Sequence, residues 1–173
     1  GVHGLMAATD FAVPPPSEAL SAFVDCFEKP EVRLPLQAVY PAQGMRIGRL
    51  LGGNLSVLTS LCGTRFFPDF SGAILLLEEV GEPEYRLDRM LTQLFHCGVF
   101  ASAQAVIFGN LSFPRQEAEI EFLRRFFEGT RAAVYICPLI GHIKENCSVP
   151  LGMPACLAAE CLTVRSGFAA LCR

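Results

Sequence analysis

Apolar and polar positions alternate along the chain in two rhythms, and they mark out its elements. A period near 3.6 runs through "PPPSEALSAFVDCFEKP" (14–30). It predicts a helix capped by Ser17, closed by Pro30, and facing inward through Leu20, Phe23, Val24 and Phe27. "RLPLQAVYPAQGMRIGRLLGG" (33–53) reads as one or two strands with a turn at Pro41–Gly44. Asn54 can cap a short helix, "LSVLTSLC", that Gly63 stops. "AILLLEE" (73–79) is short, apolar and continuous, as a strand buried on both faces should be. A helix follows over 84–98, with Leu87, Met90, Leu91, Leu94 and Phe95 inward and Gly98 behind it. "AQAVIFGNLSF" (103–113) contains a strand, 115–129 is an amphipathic helix, and "RAAVYICPLIG" (131–141) is another apolar strand. From residue 150 on, short β segments are expected, with "PACLAAECL" open to a helical reading. Strand, helix, strand, helix, strand over 73–137 is the signature of βαβ units on a parallel sheet.

The length, 173 residues, suits one domain with a real core. Hydrophobic residues make up 51% and charged residues 18%, a rich mixture that suggests a surface covered by something else. The net charge of −3 argues against a nucleic-acid partner. No uncharged apolar window reaches the ~18 residues of a membrane span, and the start carries no signal-peptide pattern. The chain opens at Gly1 in "GVHGLMAATDFAV", which reads as a cut or processed beginning. Eight cysteines (26, 62, 97, 137, 147, 156, 161 and 172) form no CxxC. We read most of them as small buried hydrophobes in a reducing compartment, with a disulfide framework as the lesser reading.

Sites in parallel sheets gather at the carboxyl ends of strands. Two polar groups fall there: Glu78–Glu79 after "AILLL", and "GHIKENCSVPLG" (141–152), which carries His142. An acid at the edge of a core is costly unless something meets it. A carboxylate beside an imidazole could hold its tautomer and stabilise its charged form. A loop histidine is also commonly a surface group, and a strand-end acid a solvated terminus; spacing leaves both readings open. His96 near a helix end suits the dipole, and His3 sits in an irregular start. "GGN" (52–54) precedes a helix and could hold an anion, but it lacks a phosphate-loop spacing and reads better as a tight strand-to-helix turn. His142 and Cys147 have no further ligand at zinc spacing, and no GxSxG nucleophile elbow exists. No metal or cofactor is expected.

Four segments carry a resemblance: "GRLLGGNLSVLTSLCGT", "GAILLLEEVGEPEYRLDRMLTQLFHCGVF", "AVIFGN" and "GHIKENCSVPLGMPACL". In order and spacing they resemble the carboxyl-terminal half of the LD-carboxypeptidases, the muramoyltetrapeptide carboxypeptidases of peptidoglycan recycling, from about residue 1 to about residue 165. The resemblance implies a swivelling β/β/α domain: a parallel βαβ core sheet, a smaller antiparallel sheet and flanking helices. It implies that Glu78 and His142 are catalytic, Glu orienting His and His activating a Ser. That Ser lies, in the family, in a "GxSD" turn of an amino-terminal domain, upstream of a segment like "FHGPM", to which "VHGLM" (2–6) corresponds. Residues 1–13 would then be a crossover from a missing amino-terminal domain and 14–173 the carboxyl-terminal domain, inactive alone. The implied partners are a peptidoglycan-derived tetrapeptide or muropeptide, the missing domain and a homodimer mate, with no nucleic acid or membrane, in the cytoplasm. A second branch, the peptidases of microcin C self-immunity, holds its nucleotide with the help of a Trp. This chain has none, which favours the cell-wall branch. A non-catalytic binding or structural module, and a different hydrolase using a local Ser or Cys, are the competing readings.

Overall fold

The structure is a computed structural model, and it describes residues 1–6 and 8–166. In chain order the elements are β1 (Val2–His3), α1 (Ser17–Glu28), β2 (Glu31–Pro35), β3 (Gln37–Tyr40), β4 (Arg46–Asn54) and α2 (Leu55–Ser60). Then come β5 (Ile74–Glu78), α3 (Glu84–His96), α4 (Val99–Ser102), β6 (Ala105–Phe108), α5 (Gln116–Phe127) and β7 (Val134–Ile136). The last are β8 (Val149–Pro150), β9 (Pro154–Ala158) and β10 (Cys161–Arg165).

Eight strands form one mixed sheet in the order β2-β10-β9-β4-β5-β6-β7-β3, and β1 pairs with β8 in a small antiparallel sheet. The run β4-β5-β6-β7 is parallel and every other pairing is antiparallel. This is the expected α/β architecture of a parallel core, a smaller antiparallel sheet and flanking helices. The sheet is strongly curled. Its two outermost strands, β2 and β3, are separated in the chain by a single residue, Leu36, whose N–H donates to the Glu160 carbonyl at 2.7 Å.

Two apolar clusters lie on the two faces. Leu75 and Leu77 of β5, Val106 and Phe108 of β6, and Val134 and Ile136 of β7 pack with α2, α3 and α5. The alternate residues, Ile74, Leu76, Ala105, Ile107 and Tyr135, pack inside the curl with Leu50, Leu157 and Leu162. Successive strand residues point to opposite faces, so both sides of β5 are apolar and the strand reads as one continuous run. Gly52 lets β4 approach β5: a Cβ there would stand 1.8 Å from the Leu76 carbonyl oxygen, and its φ is +132°.

Several expectations are corrected. Ser17 does not cap α1; Pro16 is the cap residue without a side-chain bond, and the Ser17 hydroxyl turns to Glu18. The stripe of α1 is also rotated. The helix buries the small residues Ala19 and Cys26, which let it sit close to β2 and β8. Leu20, Val24 and Phe27 lie on average about 100° further round and are 37–41% exposed. Phe95 likewise points outward at 49%, beyond the arc of α3 that reaches the sheet. Residues 31–54 make three strands rather than one or two, because the chain breaks at Pro35–Leu36 to cross from one sheet edge to the other. The short β segments expected after residue 150 are present, and the helical alternative for "PACLAAECL" is not: β9 and β10 form a hairpin, turned by Ala159 and Glu160 at φ +48° and +58°. The seven described cysteines are free, but only Cys26 and Cys137 are buried and Cys97 is exposed, so most are not the buried residues expected; Cys172 lies outside the described residues. Among the described residues no helix is long and apolar enough to cross a membrane.

Glu119, in the first turn of α5, is buried, and among the described residues its Oε1 has no hydrogen-bond partner. Burial pushes its carboxyl up to about 7, partly opposed by the Leu111 N–H. A folded value above the ordinary 4.5 means that the folded chain holds the proton more tightly. The stabilisation is complete below that ordinary value and is lost as pH rises through about 7. Glu119→Gln is therefore expected to raise the thermal unfolding midpoint at pH 8 and to leave it nearly unchanged at pH 5. Equal shifts at both pH values, followed by circular dichroism, would contradict this.

Candidate functional site

Each βα connection ends a parallel strand on the same rim, and the polar residues collect there. Glu78 shares a face with Ile74 and Leu76, so its side chain points into the curl, where it is fully buried. Glu79 points the other way, toward α2, and is also buried. Its carboxylate accepts from Asn54 Nδ2 at 3.1 Å, the Ser56 N–H at 2.8 Å and its neighbour Val80's N–H at 2.9 Å. Asn54 also caps α2 as expected, accepting from the Val57 N–H at 3.1 Å. The two adjacent acids thus have different work. Glu79 ties the start of α2 to β5, where an acid also suits the helix dipole, and Glu78 is left for the cavity.

The loop after β7 brings His142 to Glu78. Its Nδ1 lies 2.9 Å from Glu78 Oε2. The loop is braced by Asn146, whose Oδ1 accepts from the Gly141 N–H at 3.1 Å. Asn110 ties it to the neighbouring strand ends: its N–H donates to Ile140 O at 2.7 Å, and its carbonyl accepts from the Glu79 N–H at 3.2 Å. Gly109 leaves room beside the pair, since a Cβ there would stand 3.0 Å from Glu78 Cβ. The expected juxtaposition of Glu78 and His142 is therefore present. Among the described residues, His142 makes no other side-chain hydrogen bond, so Nε2 is left for whatever enters. The imidazole is 39% exposed while the carboxylate is 1% exposed, an arrangement with the acid behind and the imidazole in front.

A cavity of about 660 Å³ opens over the pair. The 141–146 loop forms one wall and residues 2–6 with Thr9 and Asp10 form the other. This second wall contains the residue that sequence reasoning passed over. His3 Nε2 lies 4.0 Å from Glu78 Oε1. Its pKa is lowered below the ordinary 6.5, chiefly by burial; Glu78 opposes the shift and the His142 charge adds to it. The available signal was "VHGLM" itself, a histidine set among small and apolar residues. His96 lies on the exposed end of α3, away from the site. "GGN" is the tight strand-to-helix turn, built on Gly52 and Gly53 at φ +132° and +138°. Among the described residues no cluster of three or more His, Cys, Asp or Glu side chains is arranged to hold a metal ion.

A buried acid behind an imidazole, on a cavity rim at the carboxyl ends of parallel strands, is equipment for moving a proton to and from a substrate or a nucleophile. Residues 47–157 match the LD-carboxypeptidase C-terminal domain, and the chain belongs to that family. It is 39% identical over 119 residues to the murein tetrapeptide carboxypeptidase of Pseudomonas aeruginosa, covering 64% of this chain and 38% of that protein. The muramoyltetrapeptide carboxypeptidase structure from Oxalobacter formigenes superposes with a TM-score of 0.81 at 26% identity, over 95% of this chain and 61% of that one. The microcin C7 self-immunity protein MccF, solved in complex with glutamyl sulfamoyl guanosine, shares the fold at a TM-score of 0.79 and 18% identity, over 96% of this chain and 61% of that one. The chain spans 36–52% of the length of the first curated relatives it matches.

Proposed function

We propose that this chain supplies the base and its orienting acid to an LD-carboxypeptidase that releases the terminal D-Ala from a muropeptide tetrapeptide in peptidoglycan recycling. The observation that carries the reading is the 2.9 Å contact between His142 Nδ1 and the buried carboxylate of Glu78, over a cavity of about 660 Å³. In this reading Nδ1 carries a proton and donates it in a hydrogen bond to Glu78 Oε2. Nε2 then accepts the proton of a serine hydroxyl as that oxygen attacks the peptide carbonyl. His142 passes the proton to the departing D-Ala amine, and Glu78 stabilises the imidazolium between the two transfers. The serine and its oxyanion donors belong to an amino-terminal domain outside these 173 residues, with residues 1–13 leading from it and 14–173 forming the second domain. The names and lengths of the relatives support this assignment, and the lack of Trp favours tetrapeptide over an aminoacyl nucleotide.

The test is D-Ala release from a disaccharide tetrapeptide. The protein carrying the amino-terminal domain is expected to turn over, and the 173-residue chain alone to show none. Removing the nucleophile of a triad leaves only binding and oxyanion stabilisation, and those go with the same domain. Turnover by the chain alone, abolished by His142→Ala, would put the nucleophile within these residues. Turnover by neither would favour a non-catalytic module.

A further inference from the structure

Glu78 has two carboxylate oxygens, and only one is engaged. Oε2 meets His142, whereas Oε1 is buried and, among the described residues, has no hydrogen-bond partner. A buried acceptor left unpaired costs about 1–3 kcal/mol, and more if it is charged. One group able to donate stands opposite it: His3, 19% exposed, with Nε2 at 4.0 Å from Oε1.

The backbone, more than the ring's own contacts, sets where His3 stands. β1 pairs with β8 in the register Val2↔Pro150 and His3↔Val149, and the Leu151 N–H donates to Gly1 O at 2.8 Å. Gly4 lies against Ser148 so closely that a Cβ would be 2.0 Å from the Ser148 hydroxyl. Beyond it, the Met6 N–H donates to Asp10 Oδ2 at 2.7 Å and turns the segment back along the cavity. The histidine is thus delivered to the acid by a strand pairing that joins opposite ends of the chain.

We propose that His3 is a second positioning residue of the site, a neutral imidazole whose Nε2–H closes the 4.0 Å gap to ~2.9 Å and holds Glu78 Oε1, so that Oε2 stays aimed at His142. The inference rests on the reading of Glu78 as the orienter of His142. Two imidazoles around one carboxylate cannot both be charged without opposing each other, so their roles must differ. His142 faces the cavity and takes the travelling proton. His3 is more enclosed, and burial keeps it neutral. A neutral donor steadies the acid without competing for that proton. Asp10 and Lys144 also line the cavity, while Glu79 faces α2.

The chain has three histidines, so nitrogen-15 spectra of its imidazoles contain three ring systems, with exposed His96 as the reference. At pH 7.5, His3 is expected to be neutral and protonated on Nε2. A His3 ring protonated on Nδ1 overturns the inference. The second arm uses the protein carrying the amino-terminal domain. His3→Gln, whose amide can still donate, should keep kcat within about tenfold. His3→Leu should lower kcat about 100-fold with little change in KM, less than the loss expected for Glu78→Gln, because His3 acts on His142 only through Glu78. Equal losses in both variants that track their unfolding midpoints would reduce His3 to a structural role. Full kcat in His3→Leu, with Glu78→Gln and His142→Ala inactive, sinks this inference alone. If those two variants also stay active, the parent reading has failed.

Discussion

His142→Ala, in the protein carrying the amino-terminal domain, is expected to bring D-Ala release below detection. The base and the nucleophile act as a unit, so losing either costs about as much as losing both. Glu78→Gln should lower the rate by at least ~10³-fold. A glutamine in that buried slot can present its amide N–H to His142 Nδ1, which favours the wrong tautomer, and it no longer stabilises the imidazolium. Glu79→Gln is the control. It is the adjacent residue and also buried, but its carboxylate is taken up by Asn54, Ser56 and Val80. Its loss should appear as about 1–3 kcal/mol of stability and less than about tenfold in rate. Each variant is first shown to be folded, and release is then measured from a disaccharide tetrapeptide. Equal damage from Glu78→Gln and Glu79→Gln would mean that the wrong acid of the pair had been chosen.

Gly52→Ala should be as damaging to the fold as His142→Ala is to the chemistry. Its new Cβ would fall 1.8 Å from the backbone oxygen of Leu76, in the middle of the parallel pairing, at a φ of +132°. Backbone cannot step aside as the end of a flexible side chain can, so β4 and β5 must separate. A cost above about 4 kcal/mol is expected, a large part of the usual 5–15 kcal/mol. Gly53→Ala separates the two causes. Its φ is similar, +138°, but a Cβ there meets nothing within 4 Å. It should lose only the strain, roughly 1–3 kcal/mol. Urea unfolding of the two variants makes the comparison. Similar midpoints would show that the close approach of the strands is not what requires Gly52.

The core was legible in the sequence because β5 carries apolar residues on both faces and its flanking helices keep a clear 3.6-residue period. The strand-end positions of Glu78 and His142 made their pairing one of two open readings, and the family motifs singled out the same two residues. What escaped depends on distant partners. His3 reaches Glu78 through a two-residue strand whose mate is nearly the whole chain away, and no local pattern announces that. The stripe of α1 was misread because the helix approaches the sheet through Ala19 and Cys26, and the larger side chains beside them attracted the assignment. The turn between β9 and β10 uses Ala159 and Glu160 at positive φ. Neither is a residue that marks such a turn, so a helical alternative stayed open beside the β reading that the structure bears out. The roles of the two acids also lay beyond periodicity, which says that they face apart but not that one finds a helix start and the other a histidine.

The curl of the sheet has a consequence for how molecules of this domain could associate. One ten-residue stretch, 31–40, supplies both outermost strands, so a single piece of chain covers the open flank of β10 and that of β7. An open β flank is a template for another molecule. Loosening the stretch at Pro35–Leu36 would bare two templates at once, one on β10 and one on β7. Each molecule could then recruit two others, and that is the condition for a growing chain of associated molecules rather than a closed pair. The small kink between β2 and β3 is therefore where proteolysis or a disruptive substitution would bare both flanks together.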